Sequence, residues 1–224
     1  MLTDRTTMFS YLRRRWMELW RTLDPQGRVD HAVLLDDLRK RYSEPHRAYH
    51  TLKHIQHCFW ECDEVWPYLV NRPAVELALW YHDAIYDVQP TPDPQAKDNE
   101  TRSADLARSI ILAAGLGTEF AALVEVSIFM TRHQGGVTNS DSCLVVDIDM
   151  AILGQPQEPF LAYEREIRAE YKEIPEETFR KKRAEILHRF LNRPRIYSHP
   201  YFQDKYELQA RKNLAFSIRQ LQAS

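Results

Sequence analysis

Apolar residues recur every three to four positions along nearly the whole chain, which is the period of an amphipathic helix. In FSYLRRRWMELWRTL, Phe9, Leu12, Trp16, Leu19 and Leu23 line one stripe. VDHAVLLDDLRKRY repeats the pattern behind Asp30, a residue type suited to capping the first turn. YHTLKHIQHCFWECDEVW runs as a helix to Pro67, and RPAVELALWYHDAIYD opens a helix on Pro73. VQPTPDPQAKDNE, with prolines at 90, 92 and 94, is a loop over about 88–98. ETRSADLARSIILAAG is a helix stopped by Gly115. TEFAALVEVSIFMTRH is another, with Thr118 as its expected cap, and QGGVTNSDS breaks the chain at Gly135-Gly136. CLVVDIDMAILG has the β-branched content of a strand but no partner strand nearby, so it is expected to be helical. Three further amphipathic helices follow, over about 157–173, 175–192 and 199–221. The expected fold is all-α, a single helical bundle of about nine or ten helices.

Composition narrows the function only a little. The 224 residues are 44% hydrophobic and 28% charged, enough apolar side chain for a full core. A formal net charge of −2 gives no global field for nucleic acid or an anionic membrane. Neither a leader-like apolar segment nor a spanning run is visible, so a cytoplasmic protein is expected. Three cysteines, Cys58, Cys62 and Cys143, argue against a disulfide framework. Cys58 and Cys62 share a helix face and read as small buried residues rather than as a zinc site, which needs two more ligands nearby.

The informative positions are polar residues inside apolar runs. His50, His54 and His57 fall at i, i+4 and i+7 and project from one face beside Leu52, Ile55 and Phe59. LALWYHDAIYD, set on a helix, puts His82 and Asp83 within or beside its packed face, where an unpartnered aspartate costs several kcal/mol. Asp147 and Asp149 interrupt LVVDIDMAIL with no lysine or arginine adjacent; either can cap a helix, Asp147 the more readily. Arg132 and His133 end an apolar helix. Two histidines and two aspartates make a mixed nitrogen and oxygen donor set suited to Mn²⁺, Fe, Co²⁺, Ni²⁺, Zn²⁺ or Mg²⁺. A divalent metal ion held by few protein ligands lowers the pKa of bound water and neutralises phosphoryl charge, the physics of phosphoester hydrolysis. Against this stands the plain reading that buried histidines, such as His50 and His57 taken singly, are hydrogen-bonded core residues.

The order H…HD…D on helices resembles the HD-domain superfamily of metal-dependent phosphohydrolases. RAYHTLKHI, YHDAIYD, DNETRSA, MTRH and DIDMAILG together resemble a bacterial subgroup of that superfamily over roughly residues 40–220. The resemblance implies a metal-binding core over about 43–155, with C-terminal helices 156–224 packed on it. It implies His54, His82, Asp83 and Asp149 as metal ligands, His54 being preferred to His50 and Asp149 to Asp147. Asp83 is also the expected proton acceptor from water. Glu100 is a candidate acid/base or second-metal ligand, or else a first-turn glutamate favoured by the helix dipole. Arg47, His50, Arg132 and His133 are candidates for meeting substrate, a guanidinium fork suiting phosphate oxygens, with Arg47 first because the following Tyr49-His50 fixes its neighbourhood near the ligand helix. Lys53 flanks the same motif. Tyr81 and Tyr86 are candidates to stack a nucleobase, and Trp80 fits the core better. The expected substrate is a small phosphomonoester or phosphodiester, a nucleotide among the candidates. No membrane or extended nucleic acid is expected as partner, and a homodimer is left open. The alternatives are a catalytically silent HD-like module that binds a nucleotide or a partner, and a di-iron oxygenase drawing on His50, His57 and His133.

Overall fold

The long stripe of the first segment forms helix α1 (Arg5–Leu23), which buries Leu12, Trp16, Leu19 and Trp20. In this computed structural model, residues 5–88, 96–134 and 139–223 are described. The expected loop over 88–98 therefore lies mostly, and Gly135-Gly136 wholly, outside them. The described residues contain ten α-helices and no strand, and none of these helices is long and apolar enough to cross a membrane. They fall into two compact units, residues 1–146 and 147–224.

In the first unit, α1 packs against α2 (His31–Arg41), α3 (Leu52–Glu64) and α4 (Arg72–Tyr81). Local chemistry sets many of the ends. Asp30 accepts hydrogen bonds from the Ala32 and Val33 amides to start α2, Thr51 does the same for α3 through Lys53, and Pro73 sits in the first turn of α4. α3 stops before a 3₁₀ turn over Trp66–Tyr68 that contains Pro67. The aromatic core is built where these helices meet: Trp80 stands edge-on to Trp16 at 5.2 Å and packs on Phe59 at 5.0 Å. Trp80 and Tyr81 are fully buried here, so they are core residues.

Helices α5 (Asn99–Ala113) and α6 (Thr118–Met130) pack on each other and on α4. Gly115, at φ 72°, ends α5: its amide reaches the Leu112 carbonyl and that of Leu116 reaches Ile111, the paired closure that needs a left-handed residue. Gly117, not Thr118, is the residue that precedes α6, and Thr118 is already helical. α7 (Ser140–Asp149) is helical, as its lack of a partner strand implied, and carries the chain into the second unit.

There a 3₁₀ turn, Met150–Gly154, packs against α8 (Gln157–Glu170) and α10 (Pro200–Gln222), and α9 (Glu176–Leu191) packs along α10. Gly154 is required by a close approach, since a Cβ there would lie 2.3 Å from Cβ of Tyr206. Asn213 ties the turn to α10 through the Leu153 and Gln155 carbonyls. Asp147 is fully buried and accepts from the Ser198 and His199 amides at 2.6–3.0 Å, holding the backbone just ahead of α10, whose cap is His199.

Candidate metal centre

His54 lies in the first turns of α3, fully buried, at the level of the C-terminal end of α4. The His-Asp pair is not inside a helix as the apolar pattern suggested. α4 ends at Tyr81, His82 is its C-cap, and Asp83 sits in the turn that follows. The turn is fixed from outside: Ser103 of α5 accepts from the Ile85 amide, and Arg47 grips the carbonyls of Asp83 at 2.8 Å and Ala84 at 3.2 Å. A helix stop made by tertiary partners carries no glycine or proline, which is why it is invisible in the sequence.

This turn brings three donors together. Nε2 of His54 and Nε2 of His82 are 3.1 Å apart. Oδ2 of Asp83 is 3.0 Å from the second and 3.5 Å from the first. Nδ1 of His82 lies 2.9 Å from the Leu79 carbonyl, which can only accept, so that nitrogen carries the proton and Nε2 turns its lone pair to the cluster. A lone pair facing an imidazole nitrogen and a carboxylate oxygen is met by a hydrogen on His54 Nε2 or by a metal ion. The triangle has the size for an ion. Bonds of about 2.0–2.2 Å set neighbouring donors about 3.0 Å apart at right angles and about 3.4 Å apart at the tetrahedral angle. His54 and His82 are closed to solvent, but the Asp83 side chain keeps 18% exposure, so the cluster opens on its carboxylate side. Burial alone would raise the Asp83 carboxyl, yet His82, His50 and His54, when they carry positive charge, hold it well below the ordinary carboxylate value.

Cys58 belongs to the same neighbourhood. Its sulfur is 3.6 and 3.8 Å from the two ring nitrogens of His54, and His54, Cys58 and His82 each offer a donor atom within 4.8 Å of the others. The three form a group able to hold a metal ion. The i, i+4 spacing of His54 and Cys58 was the signal available in the sequence, and a cysteine there is indistinguishable from a small apolar residue until His82 is brought alongside.

The other candidates divide. The His50 ring stacks on Tyr86 at 4.1 Å and stands edge-on to His54 at 5.9 Å, beside the cluster. His57 turns away to Glu61, 3.6 Å distant. The Arg47 side chain is fully buried, and its guanidinium donates to Glu44 and to the carbonyls of His50, Asp83 and Ala84. Four of its five N–H groups are thus committed to holding the site's backbone. Lys53 is exposed. Arg132 makes a bidentate pair with Asp98, both contacts 2.8 Å, and that guanidinium holds the Asp98 carboxyl down at about 2. His133 ends the α6 segment with a left-handed φ of 57°. Glu100 is half-buried in the first turn of α5, raised above the ordinary carboxylate value by burial and by the charges of Asp98 and Asp83. Asp149 is the half-buried last residue of α7, and Asp147 is committed to the start of α10. Compared with known proteins, the chain matches no protein-family model, no curated protein and no solved structure.

Proposed function

We propose that the chain is a metal-dependent phosphohydrolase of the HD kind, acting on a small phosphomonoester or phosphodiester such as a nucleotide. The observation that carries this reading is the triangle of His54, His82 and Asp83, whose edges suit one divalent ion. When bound, such an ion neutralises charge on a phosphoryl oxygen and acidifies water. In this reading His54 and His82 hold it through Nε2, with the Leu79 carbonyl fixing the tautomer of His82. Asp83, the partly exposed corner, holds it through Oδ2 and accepts a proton from the attacking water at its other oxygen. Arg47 keeps the turn that carries Asp83 in place. Glu100, with its raised carboxyl, returns a proton to the leaving group.

The test is a hydrolysis screen of metal-stripped protein against nucleotides and generic phosphoesters, with Mn²⁺, Co²⁺, Ni²⁺ and Mg²⁺ added singly. The expected result is turnover with at least one ion, lost in EDTA and in His82→Ala and Asp83→Ala. A protein that holds metal yet turns over nothing on a broad panel points instead to a metal-bearing binding module. The commitment of Arg47 and Arg132 to internal partners favours that second reading, because neither guanidinium is presented to a phosphate.

A further inference from the structure

We propose that the outward face of α1 docks an extended acidic segment of a partner protein. A shallow groove of about 720 Å³ runs along this helix from Phe9 to Pro25, and none of its lining residues belongs to the metal centre. At 1.5 Å per residue the groove is about 24 Å long, the span of about seven residues of extended chain. Arg13, Arg14 and Arg21 line it, all three exposed, and none makes a hydrogen bond or an ion pair with any described residue. Glu18 lies between them, four residues after Arg14 and three before Arg21. Helical ion pairs form at those spacings, yet it pairs with neither. Asp24, at the far end, is buried and committed to the Val29 amide and to His31. The exposed charges of the groove are therefore three guanidinia against one carboxylate.

Arg15 of the same helix shows the alternative. It turns inward, and its terminal nitrogens are held by Asp63 and Glu76. The outward arginines have no such partner, and a guanidinium fork matches a carboxylate. Their spacing selects among anions. Arg14 and Arg21 are two turns apart, about 10 Å along the axis, too far for one compact anion to bridge. An extended chain advances about 3.1–3.4 Å per residue, so acids three or four residues apart meet both. Met17 stands between the two arginines with 38% exposure, a place for an apolar side chain between the acids. Glu18 repels a polyanion whose charge repeats without a break, which disfavours nucleic acid.

The experiment is nuclear magnetic resonance of the full chain carrying ¹³C-methyl methionine, with the Met17 signal assigned through Met17→Leu. The probes are seven-residue peptides with two glutamates, three or four residues apart, flanking a leucine. The expected result is a saturable shift of the Met17 methyl at low salt. Affinity should fall roughly tenfold or more when Arg14→Glu and Arg21→Glu are combined, and stay unchanged in His82→Ala. Should the charge reversal unfold the chain, Arg14→Gln with Arg21→Gln takes its place. No Met17 shift with either peptide would overturn the proposal, as would an equal shift with glutamine in place of glutamate. Tighter binding of an oligothymidylate would make nucleic acid the occupant and overturn the acidic segment. A Met17 shift on concentrating the protein alone would do the same in favour of a second copy.

Discussion

Helices α3 and α4 carry two partly buried polar clusters, one near each end, and the two are satisfied in different ways. Toward the C-terminal end of α3, Arg15 of α1 reaches Asp63 at 2.5 Å and Glu76 of α4 at 2.8 Å, with its guanidinium over Phe59 at 4.4 Å. Cation meets carboxylate at both terminal nitrogens of the guanidinium. Toward the other end, two imidazole nitrogens face each other at 3.1 Å with a carboxylate oxygen as third corner. Here ring nitrogens and a carboxylate oxygen converge, a donor set that a shared hydrogen or a bound cation can join. Burial of polar groups is common to both clusters, so burial alone does not mark a site. The sign of what the buried groups face does.

The largest expected effects separate the two clusters outright. His82→Ala or Asp83→Ala lowers divalent-ion affinity by more than about 100-fold, read by isothermal titration with Mn²⁺ or Zn²⁺, while the fold persists by circular dichroism. Arg15→Met leaves the Glu76 carboxylate buried opposite nothing and costs about 3–5 kcal/mol in denaturant unfolding, with the metal affinity of the folded protein unchanged. Equal loss of metal affinity in both variants would erase the distinction.

Arg47 sharpens the comparison because it is a buried cation serving the metal cluster only through backbone. Arg47→Lys cannot reach the His50, Asp83 and Ala84 carbonyls together. It should cost about 1–3 kcal/mol of stability and weaken metal binding roughly tenfold. An unchanged affinity would show that the turn holds itself.

The smallest effect concerns Asp98, half exposed and paired with Arg132. Its carboxyl is lowered from 3.8 to about 2 in the folded chain, so its contribution is complete above the ordinary value and is lost as pH falls toward about 2. Asp98→Asn should remove a few tenths to about 1 kcal/mol at neutral pH and flatten the acid limb of the stability curve between those values. An identical acid limb in the variant would contradict the pairing.

What the sequence discloses is what is decided locally. Asp30, Pro73 and Gly115 act within one turn of their own positions, and each marks the helix end expected of it. The apolar period gives the all-helical fold because each helix buries one stripe. The stop after Tyr81 is different. It is held by Arg47 and Ser103, 36 and 18 residues from their partners, and nothing near His82 announces it. Asp147, expected as a cap, lies inside α7 instead and accepts from backbone amides at 198 and 199, 51 residues and more along the chain. His54 and the His-Asp pair are legible as costly polar residues in apolar runs. Cys58 is not, because its meaning depends on which helix end faces it.

The central claim is that His54, His82 and Asp83 grip one ion. Anomalous diffraction from crystals grown with Mn²⁺ tests it most directly. The account predicts a single strong peak about 2.0–2.3 Å from Nε2 of His54, Nε2 of His82 and Oδ2 of Asp83. A map with no peak inside that triangle, or with the ion bound elsewhere, would contradict it.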